Sequence, residues 1–193
     1  MTGRIESRLA ELGITLPQAT APVANYVPSV RTGSQVFVSG QVSNGPDGFI
    51  KGKLGADMSI EEGAAAARAC GLSLIAQLKA ACDGDLDRLV RVVKLVGFVN
   101  STADFTDQPK VINGASDLMV EVFGDAGRHA QNPAEWVGRR THDLFLASGH
   151  SPRFVCSSPT KGGKGTTAHP YLNGGSSKLR SLRECSRDPS DRS

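Results

Sequence analysis

The chain has 193 residues, 39% hydrophobic and 21% charged, with 22 Lys and Arg against 19 Asp and Glu. That length suits one domain, or one domain and a tail, and the composition is that of a globular rather than a disordered or fibrous protein. No apolar run reaches the roughly 18 residues that a membrane span needs, and Met1 to Leu12 mixes both signs of charge without an apolar stretch, unlike a secretory signal. A cytoplasmic protein with no membrane partner is therefore expected.

The charge is unevenly spread. Residues 1–130 hold 12 Lys/Arg and 14 Asp/Glu, a balance of −2, while residues 131–193 hold 10 and 5, a balance of +5. A mildly basic tail is weak evidence for nucleic acid, because solubility explains it equally well. Cys70, Cys82, Cys156 and Cys185 form no CxxC pattern, and His129, His142, His150 and His169 lack metal-ligand spacing, so no metal is expected.

Ile5, Leu9 and Leu12 recur at helical spacing and Gly13 follows as a stop, which predicts a short docking helix over residues 1–13. Residues 14–130 form the structured body. Val27–Arg31 and Gln35–Gln41 read as two strands joined by the turn Thr32-Gly33-Ser34. The stretch Asn44–Gly55 reads as a loop. Ser59-Ile60-Glu61-Glu62 has the form of a capping box, and the helix it opens runs to about Cys82 with Ile60, Ala64, Ala67, Leu74 and Leu78 on one face. Leu89–Asn100 is apolar at both alternations, which predicts a central strand covered on both faces. A second helix begins after Asp107, with Pro109 in its first turn, and ends at Gly124–Gly127. The order β-β-α-β-α calls for further strands to complete the sheet.

Those strands are not evident. Residues 131–193 hold nine Leu, Ile, Val, Met or Phe against 12 Gly and Pro, and only Asp143–Ala147 and Arg153–Cys156 resemble strands. Residues 131–193 thus read as an atypical tail, irregular from Ser157 onward. Gly162–Thr167 lacks the spacing of a phosphate loop and has no strand before it.

The run Leu16-Pro17-Gln18-Ala19-Thr20, then Pro22 to Pro28 with Tyr26, Arg31-Thr32-Gly33, and Val36-Phe37-Val38-Ser39-Gly40-Gln41 resembles the N-terminal half of Rid (YjgF/RidA-like) proteins. Phe98-Val99-Asn100, Asp104-Phe105 and Val111-Ile112-Asn113-Gly114-Ala115 continue the resemblance to about residue 129. It implies an α+β, chorismate-mutase-like fold: a six-stranded mixed sheet with two helices on one face. It also implies homotrimers with ligand clefts between subunits, and cofactor-free hydrolysis of enamines and imines such as 2-aminoacrylate to 2-oxo acids and ammonia. Some members carry an endoribonuclease label.

The implied substrate site comprises Tyr26 as the cleft aromatic, Ser39 and Gly40 at the cleft floor, and Asn113 on the second helix. Each also has a plainly structural reading: Tyr26 as rim packing, Ser39 bonded to nearby backbone, Gly40 as a bulge, Asn113 as a local backbone binder. The resemblance further implies an Arg just past the second helix to hold the substrate carboxylate, and a late acidic strand. Gly127-Arg128-His129-Ala130 keeps the lead-in, but Gln131-Asn132-Pro133 stands where the Arg and its strand would start. A changed reading frame near codon 130 would explain this. So would a divergent C-terminus in which Arg139, Arg140 or Arg153 supplies the guanidinium. An imine deaminase is the leading expectation; a non-catalytic ligand-binding or regulatory trimer, and an RNA-associated protein, are the alternatives.

Overall fold

The computed structural model describes residues 3–19, 25–136, 145–146 and 153–156. The irregular stretch expected from Ser157, and Arg139 and Arg140, lie outside the described residues.

The N-terminal helix α1 (Arg4–Glu11) is too short to persist alone in water. It buries Ile5 and Leu9 in the core, and its first two amides find a distant acceptor. Arg4 N and Ile5 N donate to the two carboxylate oxygens of Asp87 at 2.6 and 3.0 Å.

Two strands follow, β1 (Ser29–Thr32) and β2 (Gln35–Val38), in antiparallel register with Thr32 opposite Gln35. The two-residue loop between them starts with Gly33 at φ 56°, the conformation a II′-type hairpin turn demands of its first central residue. The expected strand Gln35–Gln41 is divided: β2 stops at Val38, and Gln41–Val42 forms a separate short strand, β3. The interruption has a cause in Ser39, whose amide donates to Pro28 O at 2.8 Å and whose hydroxyl donates to Val27 O at 2.6 Å. Those bonds tie the chain to the segment preceding β1. Within the stretch expected as a loop, β4 (Asn44–Gly45) and β5 (Gly48–Phe49) make a small hairpin.

The long helix α2 (Ile60–Ala81) opens with the expected capping box: Glu62 N donates to Ser59 Oγ at 3.2 Å and Ser59 N to the Glu62 carboxylate at 2.8 Å. Its buried set is wider than one stripe and includes Gly63, Ala66, Cys70, Gly71 and Ile75. The width follows from two contacts, the sheet on one side and α3 (Gln108–Phe123) on the other. A 3-10 turn, Leu86–Arg88, leads into the 12-residue strand β6 (Leu89–Asn100).

The expectation that β6 is covered on both faces holds from Leu95 onward, but Val90 and Val93 are exposed. Each falls at a shift in register against β9 (Arg153–Cys156), one between Leu89 and Arg91, the other between Val92 and Lys94. Each shift is a bulge, which adds a residue and turns the strand locally.

Among the described residues the sheet has seven strands, in the order β1-β2-β9-β6-β8-β3, with β8 (Phe145–Leu146) short and β7 (Ala130–Trp136) paired to β6. The pairing of β7 with β6 is parallel and the other pairings are antiparallel. The strands β8 and β9 fall on the two stretches of the tail that resemble strands. The strand β7 was not expected, because Ala130–Trp136 carries polar residues and Pro133. Backbone pairing tolerates both: among the described residues β7 pairs with β6 alone, and on an edge a residue without an N–H costs no ladder bond. A break at Ala130 therefore does not end the sheet.

Val36, Val38, Val92, Leu95, Val99 and Phe154 pack with α2 and α3 into one core. No helix among the described residues is long and apolar enough to cross a membrane.

Candidate functional site

Two groups of polar residues stand at different places on this scaffold. The first lies at the end of β2. The bond from the Ser39 hydroxyl to Val27 O clamps the segment that carries Tyr26 beside Ser39 and Gly40. Tyr26 is half exposed, at 50%, and Ser39 and Gly40 are partly buried. Ser39 thus does have a structural bond, and its donor proton is committed to it. Its oxygen keeps lone pairs that can accept from a ligand. Gln41 Nε2 donates to the Ser39 and Gly40 carbonyls, both at 3.1 Å, which fixes the backbone of this corner.

The second group lies on α3. Asn113 is exposed on that helix, and no hydrogen bond among the described residues joins it to Tyr26 or Ser39. The helices divide the sheet between them. Contacts of α2 run to β1, β2, β3, β4 and β8, while those of α3 run to β6 and β7. The four sequence-designated residues therefore fall into two sets within one chain, with Tyr26, Ser39 and Gly40 together and Asn113 apart.

A residue of α3 and one just past it form a pair that the sequence did not mark as functional. Ser116 Oγ lies 3.1 Å from His129 Nε2, and His129 Nδ1 lies 2.6 Å from Gly127 O. A carbonyl can only accept, so the Nδ1 position carries the proton and Nε2 presents its lone pair to the serine hydroxyl. Ser116 and His129 are 13 positions apart, with no spacing rule to join them; only the packing of Gly127 against α3 does so.

Arg128 is exposed and ion-paired with Asp125 at 3.2 Å. Arg153 occupies a defined position on β9, opposite Phe37 of β2 and Lys94 of β6. That register sets Arg153 two residues along the ladder from Ser39. Elsewhere, carboxylate oxygens of Glu6, Asp85 and Asp87 lie within 4.8 Å of one another. They already serve the fold: Asp87 caps α1, Asp85 accepts from Asp87 N at 3.0 Å, and Glu6 pairs with Lys79 at 3.6 Å.

A mixed sheet backed by two helices, with a hydroxyl-clamped aromatic at the end of its opening hairpin, defines an α+β protein of the chorismate-mutase-like class. Residues 6–137 match the family described as "YjgF/chorismate_mutase-like, putative endoribonuclease", and the chain belongs to that family. It is 53% identical over 132 residues to Protein TCP17 of Trypanosoma cruzi, a match covering 67% of this chain and 82% of that protein. Among solved structures, protein Atu1372 of Agrobacterium tumefaciens, described as of unknown function, is 37% identical with a TM-score of 0.68. That match covers 79% of this chain and 92% of the other. A Shewanella oneidensis protein described as a "putative endoribonuclease" is 36% identical with a TM-score of 0.69, covering 79% and 99%.

Proposed function

We propose that the chain is a Rid-type deaminase that hydrolyses reactive 2-imino and 2-enamino acids to 2-oxo acids and ammonia, working without a cofactor as a cytoplasmic homotrimer. The observation that carries this reading is the Ser39–Val27 clamp, which sets an exposed phenol beside a partly buried Ser-Gly corner. Such a corner offers a flat apolar wall to a planar C=N group and polar atoms at its edge. Tyr26 supplies the wall, and Ser39 and Gly40 supply the floor. Asn113 completes the cleft from a neighbouring subunit, since in its own chain α3 lies over a different part of the sheet.

A substrate of this class carries a carboxylate next to the imine carbon. A guanidinium holds a carboxylate through two parallel bonds and stabilises charge where water attacks. Arg153 is the candidate for that role, because its strand position lies between β2 and β6, close along the ladder to Ser39.

The test is hydrolysis of freshly generated 2-aminoacrylate, read as 2-oxo acid released above the uncatalysed rate, with an RNA substrate run in parallel. Acceleration that falls at least tenfold in Arg153→Ala supports the reading. A protein that binds 2-oxo acids without accelerating hydrolysis is a ligand-binding trimer instead, and one that cleaves RNA alone is a nuclease; either result rejects deamination.

A further inference from the structure

Imine hydrolysis needs a proton taken from water and a proton given to the departing nitrogen. In the described site, Tyr26, Ser39, Gly40 and Asn113 include no imidazole and no carboxylate to pass a proton. The Ser116–His129 pair brings an imidazole into contact with a hydroxyl. Ser116 lies one helical turn beyond Asn113 on α3, so the two side chains share a face of the helix. Asn113 is exposed, and Ser116 and His129 are partly buried, so the pair stands at the edge of the surface that Asn113 presents.

The imidazole is fixed rather than free. Gly127 is buried so close to α3 that a Cβ there would meet the carbonyl oxygen of Met119 and lie 2.5 Å from its carbonyl carbon. Only glycine allows that approach, and it pins the Gly127 carbonyl that receives the His129 Nδ1 proton at 2.6 Å. The serine hydroxyl, which in a helix commonly turns back to the carbonyl four residues earlier, here reaches the ring at 3.1 Å. Charged residues near the pair include Asp117, next in the helix and exposed, Arg128, whose charge is met by Asp125, and Lys94 of β6, opposite Ala130.

We infer that Ser116 and His129 form a proton relay serving the intersubunit cleft, with Ser116 facing the attacking water and His129 positioned behind it. The inference rests on the hydrolytic reading above. Water adds to the carbon of the protonated imine and the C=N electron pair moves to nitrogen. Ser116 Oγ takes the proton of the water as its own proton passes to His129 Nε2. The Gly127 carbonyl then faces an imidazolium, which it holds by the same bond. On collapse, the imidazolium proton returns through Ser116 to the nitrogen and the C–N bond breaks. The hydroxyl proton leaves with the ammonia as ammonium, so one imine cation and one water give one ketone and one ammonium.

The experiment compares the native chain with Ser116→Ala and His129→Gln on 2-aminoacrylate at neutral pH, and adds free imidazole to His129→Gly. The relay predicts a 10- to 100-fold fall in kcat with KM within about twofold, and partial recovery of kcat with imidazole. A 15N spectrum of the native imidazole should show the proton on Nδ1. Native turnover left within twofold by both substitutions overturns the relay and spares the deaminase reading. Loss of turnover with raised KM and no rescue makes the pair purely structural. A native chain that does not turn the substrate over overturns the deaminase reading, and the relay with it.

Discussion

The carboxylate of Asp87 accepts the backbone amide of Arg4 at 2.6 Å across 83 positions of sequence. Its second oxygen takes the amide of Ile5 at 3.0 Å. An N-cap residue normally precedes its helix, but Gly3 has no side chain to offer and Asp87 supplies the acceptors from the turn before β6. The amides at a helix N-terminus lack intrahelical partners, and capping them is worth about 0.5–2 kcal/mol. Asp87→Ala should lower the stability of the whole domain by about 1–2 kcal/mol in urea unfolding, because Ile5 and Leu9 of α1 belong to the common core. Loss of α1 alone, with the main transition unmoved, would mean that the helix is an independent appendage.

Gly114 gives a test of opposite sign to helix propensity. In an isolated helix Gly→Ala gains about 1 kcal/mol. Here a Cβ at Gly114 would strike the carbonyl of Ala64 on α2, lying 2.7 Å from its carbonyl carbon. The obstacle is backbone, so neither helix can yield without moving. Gly114→Ala is expected to destabilise by about 1–3 kcal/mol, the usual range for overpacking. Stabilisation would show that α2 and α3 are packed less closely.

Two exposed carboxylates tie stability to acid. The bond from the Ser59 backbone, aided by its side chain, holds the Glu62 carboxyl below its ordinary 4.5, and the Arg88 guanidinium bonded to Asp83 holds that carboxyl below 3.8. A folded value below the unfolded one means the contribution is complete above the ordinary value and is lost as pH falls through the folded one. Asp83→Asn should therefore cost stability at about pH 6 and cost less as pH drops toward about 3. A penalty that is flat across that range would assign the effect to packing rather than to ionisation.

The sheet face away from the helices carries apolar residues that the fold itself does not cover. Val30 stands opposite Phe37, on the side away from buried Val36 and Val38, and Val90 and Val93 are exposed at the two bulges of β6. In the proposed trimer this face is buried. Val93→Glu would then place an unpaired charge in the interface, at about 3–5 kcal/mol. Sedimentation of the native chain as a trimer and of the variant as a folded monomer is the expected outcome. Identical masses would place the interface elsewhere.

Local signals were readable where the physics is local. The Ser59–Glu62 capping box, the Gly33 hairpin and the 12-residue β6 each follow from neighbouring residues, and each is where the sequence places it. The division of the second strand was not, because Ser39 acts on Pro28 and Val27 across the hairpin. The strand β7 was missed because its stability comes from the edge of β6 rather than from its own Ala-Gln-Asn-Pro composition. The Ser116–His129 pair escaped for a similar reason: it depends on Gly127 approaching α3, a contact with no sequence period. Of the designated site, Tyr26, Ser39 and Gly40 come together, while Asn113 stands apart on α3.

The most direct measurement is subunit complementation. Tyr26→Ala and Asn113→Ala chains, each weakened in a different half of the cleft, are unfolded together at equal amounts, refolded, and assayed on 2-aminoacrylate. If each cleft takes Tyr26 from one subunit and Asn113 from another, random mixing rebuilds about a quarter of the native clefts and returns about that share of activity. A mixture no more active than its two components would place both residues in a cleft built by one chain, and would contradict the two-subunit site.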